Sequence, residues 1–109
     1  MTWTIETLDA RVDAEIADLS ADMRARLVRI SALLAEFGPS QVREPYVKPL
    51  GSKLWEMRLT GKDGIARAVY IAATGQRLVI LHVFIKKTQK TPKAALETAL
   101  RRAEEAGLR

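Results

Sequence analysis

Arg58, Arg67, Lys86 and Lys87 are the side chains of this sequence best suited to chemistry, and none of them is a nucleophile. They lie in residues 43–93, which carry eleven Lys/Arg against three Asp/Glu, whereas residues 1–42 carry four against seven. A chain of formal charge +5 therefore contains a segment of +8. Such clustering is the electrostatic footprint of a phosphate partner. Other chemistries lack their residues. There is one histidine and no cysteine, so a thiolate metal centre and a disulfide framework are both excluded. No Gly-x-Ser-x-Gly elbow and no phosphate-binding glycine motif occurs. Gly61, Gly64 and Gly75 stand at turn spacing. What cations can do unaided is promote attack by a nucleophile the substrate brings itself. RNA carries one beside every phosphate, the 2′-hydroxyl. Its attack needs in-line alignment, neutralisation of the phosphorane and protonation of the leaving 5′-oxygen, and it needs no metal or cofactor.

The candidates divide by what their surroundings permit. Arg58 alternates with Trp55, Met57 and Leu59, so it belongs to the opposite sheet face, as a functional cation or a solvated strand arginine. Arg67 sits between Ala66 and Ala68, where an unpaired guanidinium would be costly to bury. It needs an open surface or a partner such as Glu56. Glu56 itself reads as that partner or as a general base. Lys86 and Lys87 end an apolar run, as catalytic cations or as edge charges that discourage aggregation. His82 falls inside the same run, where a hydrogen-bonded core histidine competes with a catalytic one. Lys90 and Lys93 precede and open the last helix, where positive charge opposes the macrodipole and would welcome an anion. Lys48 and Lys53 flank the sheet and could steer RNA. Tyr70 could stack on a base or pack in the core. Trp55 reads as core.

These residues must be positioned by a single α+β domain spanning 1–109. Apolar residues are 48% of the chain, sufficient for one core. Trp3, Ile5 and Leu8 suggest a short opening strand. Asp9 is placed to cap a first helix with Val12, Ile16 and Leu19 inward, and Ser20 a second with Met23, Leu27, Ile30, Leu34 and Phe37 on one stripe. Gly38-Pro39 stops it. Residues 39–53 read as irregular. Residues 54–60 alternate, Gly61 to Gly64 turn, residues 65–72 return, and residues 77–85 form a strand apolar on both faces. Thr91 then reads as the cap, and Pro92 as the first position, of a final helix that Gly107 ends. The expected order is β-α-α-β-β-β-α, with the two N-terminal helices on one face of a small twisted, mostly antiparallel sheet. The run Leu78 to Ile85 is too short to span a bilayer, and no secretory leader is visible, so a soluble cytoplasmic protein with no membrane partner is expected.

Three strings together resemble a known family: Leu54-Trp55-Glu56-Met57-Arg58; Arg67-Ala68-Val69-Tyr70; and Leu81 to Pro92, with its His-x-Phe-x-Lys-Lys-Thr-x-Lys-Thr-Pro pattern. They are similar to the phage-derived, HigB-like branch of the RelE/ParE toxin superfamily, with the third string the most specific. The resemblance implies a RelE-like fold and the toxin of a type II toxin–antitoxin pair. It implies a ribosome-dependent, metal-independent endoribonuclease that cuts mRNA in the ribosomal A site through the 2′-hydroxyl. Arg58 and Arg67 would then correspond to the cations at the scissile phosphate, and Lys86 or Lys87 to the cation ending the last strand. The expected protein partner is a helix-turn-helix, HigA-like antitoxin. One departure is visible: many RelE-like enzymes carry a late tyrosine that activates the nucleophile, and this chain has none after Tyr70. His82, Lys90 and Glu56 are left as candidate bases. ParE-like members share the fold but inhibit gyrase, and a non-catalytic phage-derived RNA-binding protein is a third reading.

Overall fold

The computed structural model describes residues 2–86 and 91–109. Its elements run β1 (Thr4–Thr7), α1 (Ala10–Ala17), α2 (Ala21–Phe37), β2 (Val47–Gly51), β3 (Leu54–Gly61), β4 (Gly64–Ala73), β5 (Arg77–Lys86) and α3 (Lys93–Glu105). The five strands form one sheet in the order β1-β5-β4-β3-β2. β1 pairs parallel to β5, and the other neighbours are antiparallel. The α+β class and the two helices on one face are as expected. The additional strand is β2, in a stretch read as irregular. Its two prolines and a register shift between Pro49 and Gly51 hide the alternation, and an edge strand tolerates both.

Local chemistry fixes the N-terminal helices. The Asp9 carboxylate accepts from the Arg11 N–H, and the Ser20 hydroxyl accepts from the Met23 N–H. Each satisfies a donor that the first helical turn leaves open. Met23, Leu27, Ile30 and Leu34 of α2 then bury one stripe against Met57, Leu59, Ala68 and Tyr70. Each fully buried aliphatic side chain contributes about 1.5–3 kcal/mol, so this layer dominates the stability of the fold. Asp22 ties the same helix to the β3–β4 turn by accepting the Lys62 N–H at 2.6 Å.

On the second face, α3 covers only part of the sheet's length. Ala99 and Ala103 of α3 lie on Leu54, Val69, Ile71, Val79 and Leu81. The alanines let the helix approach closely. α3 begins differently from expectation. Its cap is Pro92, without a side-chain hydrogen bond. Thr91 instead donates its hydroxyl to Glu56 Oε2 at 2.6 Å. The helix ends as expected, with Gly107 at φ +71°.

A β-bulge organises β5. Val69 pairs with His82 and Tyr70 with Ile80, so Leu81 has no partner across β4. Before the bulge, Leu78 and Ile80 face α1 and α2, and Val79 faces α3. After it the parity reverses: Val83 joins the α1/α2 cluster, and Phe84 packs on the α3 side. The single inserted residue therefore turns His82, Phe84 and Lys86 to the face that carries Glu56 and Arg67.

Candidate nucleic-acid interface

Beyond the reach of α3, the same sheet face changes from apolar to cationic. Arg58 and Arg67 are direct partners across β3 and β4, and Arg67 also pairs with Phe84 on β5. Lys48 of β2 pairs with Glu56, and Lys86 of β5 with Ile65. Four strands thus deliver Lys48, Arg58, Arg67 and Lys86 to one patch. Like charges directly opposite one another destabilise a sheet, so Arg58 facing Arg67 requires compensation.

Glu56 supplies part of it. Its carboxylate is 1% exposed and lies 3.4 Å from Nε of Arg67, which is 3% exposed. Its other oxygen accepts from Thr91. This is the partner the sequence suggested for Arg67. One carboxylate cannot balance four cations. Burial holds the Arg67 guanidinium below its ordinary value, Glu56 draws it back up, and Arg58 pushes it down again. Burial also depresses the Lys86 ammonium, with Arg67, Arg58 and Lys48 adding repulsion and Glu56 opposing them. Nε and Nη1 of Arg67 and Nε of Arg58 are buried without a hydrogen-bond partner among the described residues. Buried donors are ordinarily satisfied, and each orphan costs about 1–3 kcal/mol. A phosphate over the patch would neutralise the surplus charge.

His82 stands at the border of the covered and open halves, on the side of Phe84. Its ring stacks on Phe84 with centroids 5.1 Å apart. Nδ1 lies 3.1 Å from Glu15 Oε1. The histidine is 16% exposed, so it is both hydrogen-bonded within the fold and accessible from outside. His82 and Lys86 stand two residues on either side of Phe84, whose partner is Arg67.

Other expected site residues lie elsewhere. Tyr70 is fully buried in the α1/α2 cluster, and its hydroxyl has no hydrogen-bond partner among the described residues. It cannot stack on a base: alternation puts residue 70 on the opposite face from Arg67. Burial raises its phenol well above the ordinary value. It lines an apolar cavity of about 310 Å3 with Trp55 and Leu78. Lys53 is exposed in the β2–β3 turn at φ +68°, five residues from Arg58, roughly 17 Å along an extended strand. Lys93 is 90% exposed and lies 3.9 Å from Glu97 one helical turn on. Lys87 and Lys90 fall outside the described residues.

Two residues escaped the sequence reading. Glu15 of α1, which is not among the inward residues expected of that helix, turns toward β5. Arg102 of α3 is 9% exposed and donates to Leu81 O at 2.9 Å and to Glu15 Oε2 at 3.0 Å. The signal for Arg102 was present: it follows Ala99 by three residues, which places an arginine on the helix's apolar stripe.

The sheet order, the helix pair on one face and the half-covered second face define a RelE-like fold. A solved structure of the toxin RelE of E. coli, a doubly substituted form in its free state, superposes with a TM-score of 0.68 at 17% identity, covering 94% of this chain and 98% of that one. The sequence matches the family described as phage-derived protein Gp49-like (DUF891) over residues 14–104, and the chain belongs to that family. The comparison with curated proteins found no match.

Proposed function

We propose that this chain is the toxin of a type II toxin–antitoxin pair, and that the cationic half of its sheet, beyond α3, cleaves mRNA in the ribosomal A site. The observation that carries the reading is the pair of arginines, Arg58 and Arg67, facing each other with buried donors unsatisfied beside Lys86. A protein that holds such repulsion in its folded state is preorganised for an anion, and a phosphorane carries more charge than the phosphodiester it forms from. The RelE-like fold and the Gp49-like family support RNA as that anion.

The reaction follows from placement. The 2′-oxygen attacks phosphorus, the bond to the 5′-oxygen breaks, and the products are a 2′,3′-cyclic phosphate and a free 5′-hydroxyl. Attack and departure occur on opposite sides of phosphorus, so base and acid belong on opposite sides of the arginines. His82 and Lys86 stand so with respect to Arg67. His82 takes the 2′-proton. Lys86, whose proton is loosened by burial and by its cationic neighbours, gives one to the 5′-oxygen. Glu56 has one oxygen beside Arg67 and the other bonded to Thr91, which suits it to holding the cluster together and not to proton transfer. Lys48 adds steering charge at the rim. A helix-turn-helix antitoxin is the partner that would restrain the toxin in its host.

The test is induction in a tightly repressed bacterial host, with mRNA 5′ ends mapped within minutes. New ends inside translated codons that vanish with Arg67→Ala support the reading. Growth arrest with intact messages, accompanied by lost gyrase supercoiling, overturns it.

A further inference from the structure

The network around Glu15 is larger than a surface ion pair, and it converges on the one histidine of the chain. β1 pairs with β5 only from Arg77 to Ile80, so among the described residues the outer edge of β5 beyond that point has no strand neighbour. Glu15 reaches across from α1 and accepts the Val83 N–H at 2.9 Å with Oε1. The same oxygen lies 3.1 Å from His82 Nδ1 and accepts from Arg102 Nη1 at 3.2 Å. Arg102 Nη2 donates to Oε2, and Nη1 also donates to the carbonyl of the bulged Leu81. One carboxylate thus joins α1, β5 and α3 at the point where the bulge turns His82 toward the cations.

We propose that Glu15, held by Arg102, is a positioning residue that locks His82 in the Nδ1–H tautomer and leaves Nε2 as the proton acceptor for the open half of the sheet. This rests on the proposed function and deepens it. Glu15 is ionised at neutral pH: burial raises its carboxyl, but Arg102, the Val83 N–H and His82 outweigh that and hold it below its ordinary range. An ionised carboxylate only accepts, so the hydrogen between Glu15 and His82 belongs to Nδ1. Arg102 Nη1 lies 3.4 Å from the same nitrogen, but its hydrogens are already directed at Leu81 O and Glu15. Nε2 makes no hydrogen bond among the described residues. The logic is that of a histidine base oriented by a buried acid, in which the acid fixes the tautomer and steadies the imidazolium once Nε2 has taken the proton. All four groups around the carboxylate are donors. A glutamine there would set its own amide N–H2 against one of them, so Glu15→Gln removes the lock with little change in volume.

The experiment is long-range nitrogen–proton NMR of the wild type, where a single imidazole needs no assignment. The expected neutral form carries its proton on Nδ1. Glu15→Gln, with an unchanged circular dichroism spectrum, should lose that single tautomer and slow mRNA cleavage on programmed ribosomes by roughly tenfold or more, with ribosome affinity unaltered. Protonation on Nε2 in the wild type would overturn the inference. So would a Glu15→Gln variant that keeps both the tautomer and the rate. A wild type that shows the Nδ1–H form but cuts no mRNA overturns the proposed function and leaves the tautomer lock standing.

Discussion

Two halves of one sheet face, built by the same strands, have opposite chemistry. Under α3, β3 to β5 present Leu54, Val69, Ile71, Val79 and Leu81. A residue pair further along, they present Glu56, Arg58, Arg67 and Lys86. The change falls between Val69 and Arg67 on β4 and at the Leu81 bulge on β5. The covered half contributes stability through apolar burial. The cationic half withdraws some of it by holding cations together, with donors that have no hydrogen-bond partner among the described residues. α3 ends the covered half, and Thr91, just ahead of it, anchors the chain to the carboxylate at the heart of the open half. Cover and site are therefore tied at one residue.

Moving charge across the border between the two halves should have the largest effect. Ile71→Lys would bury an ammonium under α3 between its apolar cross-strand partners Leu54 and Val79 and should cost about 3–5 kcal/mol, visible as a large drop in urea midpoint. A variant as stable as the wild type would mean that α3 does not seal its half. Next in size is the open half itself. Arg67→Ala and Arg58→Ala should each reduce cleavage by roughly 10²–10³-fold while the far-UV spectrum is kept. A fully toxic double variant would end the assignment of these arginines.

A smaller effect concerns Glu15, at the seam. Its folded carboxyl is held below its ordinary value, so its contribution to stability is complete above the ordinary carboxyl range and is lost as pH falls toward the folded value. Wild type should lose stability below about pH 4.5, and Glu15→Gln should flatten the profile there. Parallel profiles for the two proteins would contradict the clamp. The smallest effect is expected on the far face. Tyr70→Phe removes a buried hydroxyl that has no partner, so stability should stay within about 1 kcal/mol and cleavage should be unchanged. A large loss of cleavage would return Tyr70 to the site.

The sequence carried most of the architecture and half of the site. Helix stripes and caps were legible because Asp9, Ser20 and the apolar spacing of α2 are local signals. Arg58, Arg67 and their relation to Glu56 were legible because β3 and β4 alternate cleanly through them. β2 was not, because Pro49 and the register shift disguise a short edge strand. Tyr70 was ambiguous because an alternating strand does not reveal, for an aromatic residue, which face is buried. The bulge at Leu81 has no local mark, yet it decides where His82 and Lys86 point. Glu15, Arg102 and Thr91 act across 35 to 87 residues of chain, through contacts that only the folded sheet creates.

The most direct test uses purified protein and ribosomes programmed with a short mRNA, either all-ribose or with a single 2′-deoxynucleotide at the cleavage position. The all-ribose message should be cut to a 2′,3′-cyclic phosphate and a 5′-hydroxyl, and the message should stay whole when the 2′-hydroxyl is missing. Cleavage that persists at the deoxy position, or an all-ribose message left whole, would contradict it.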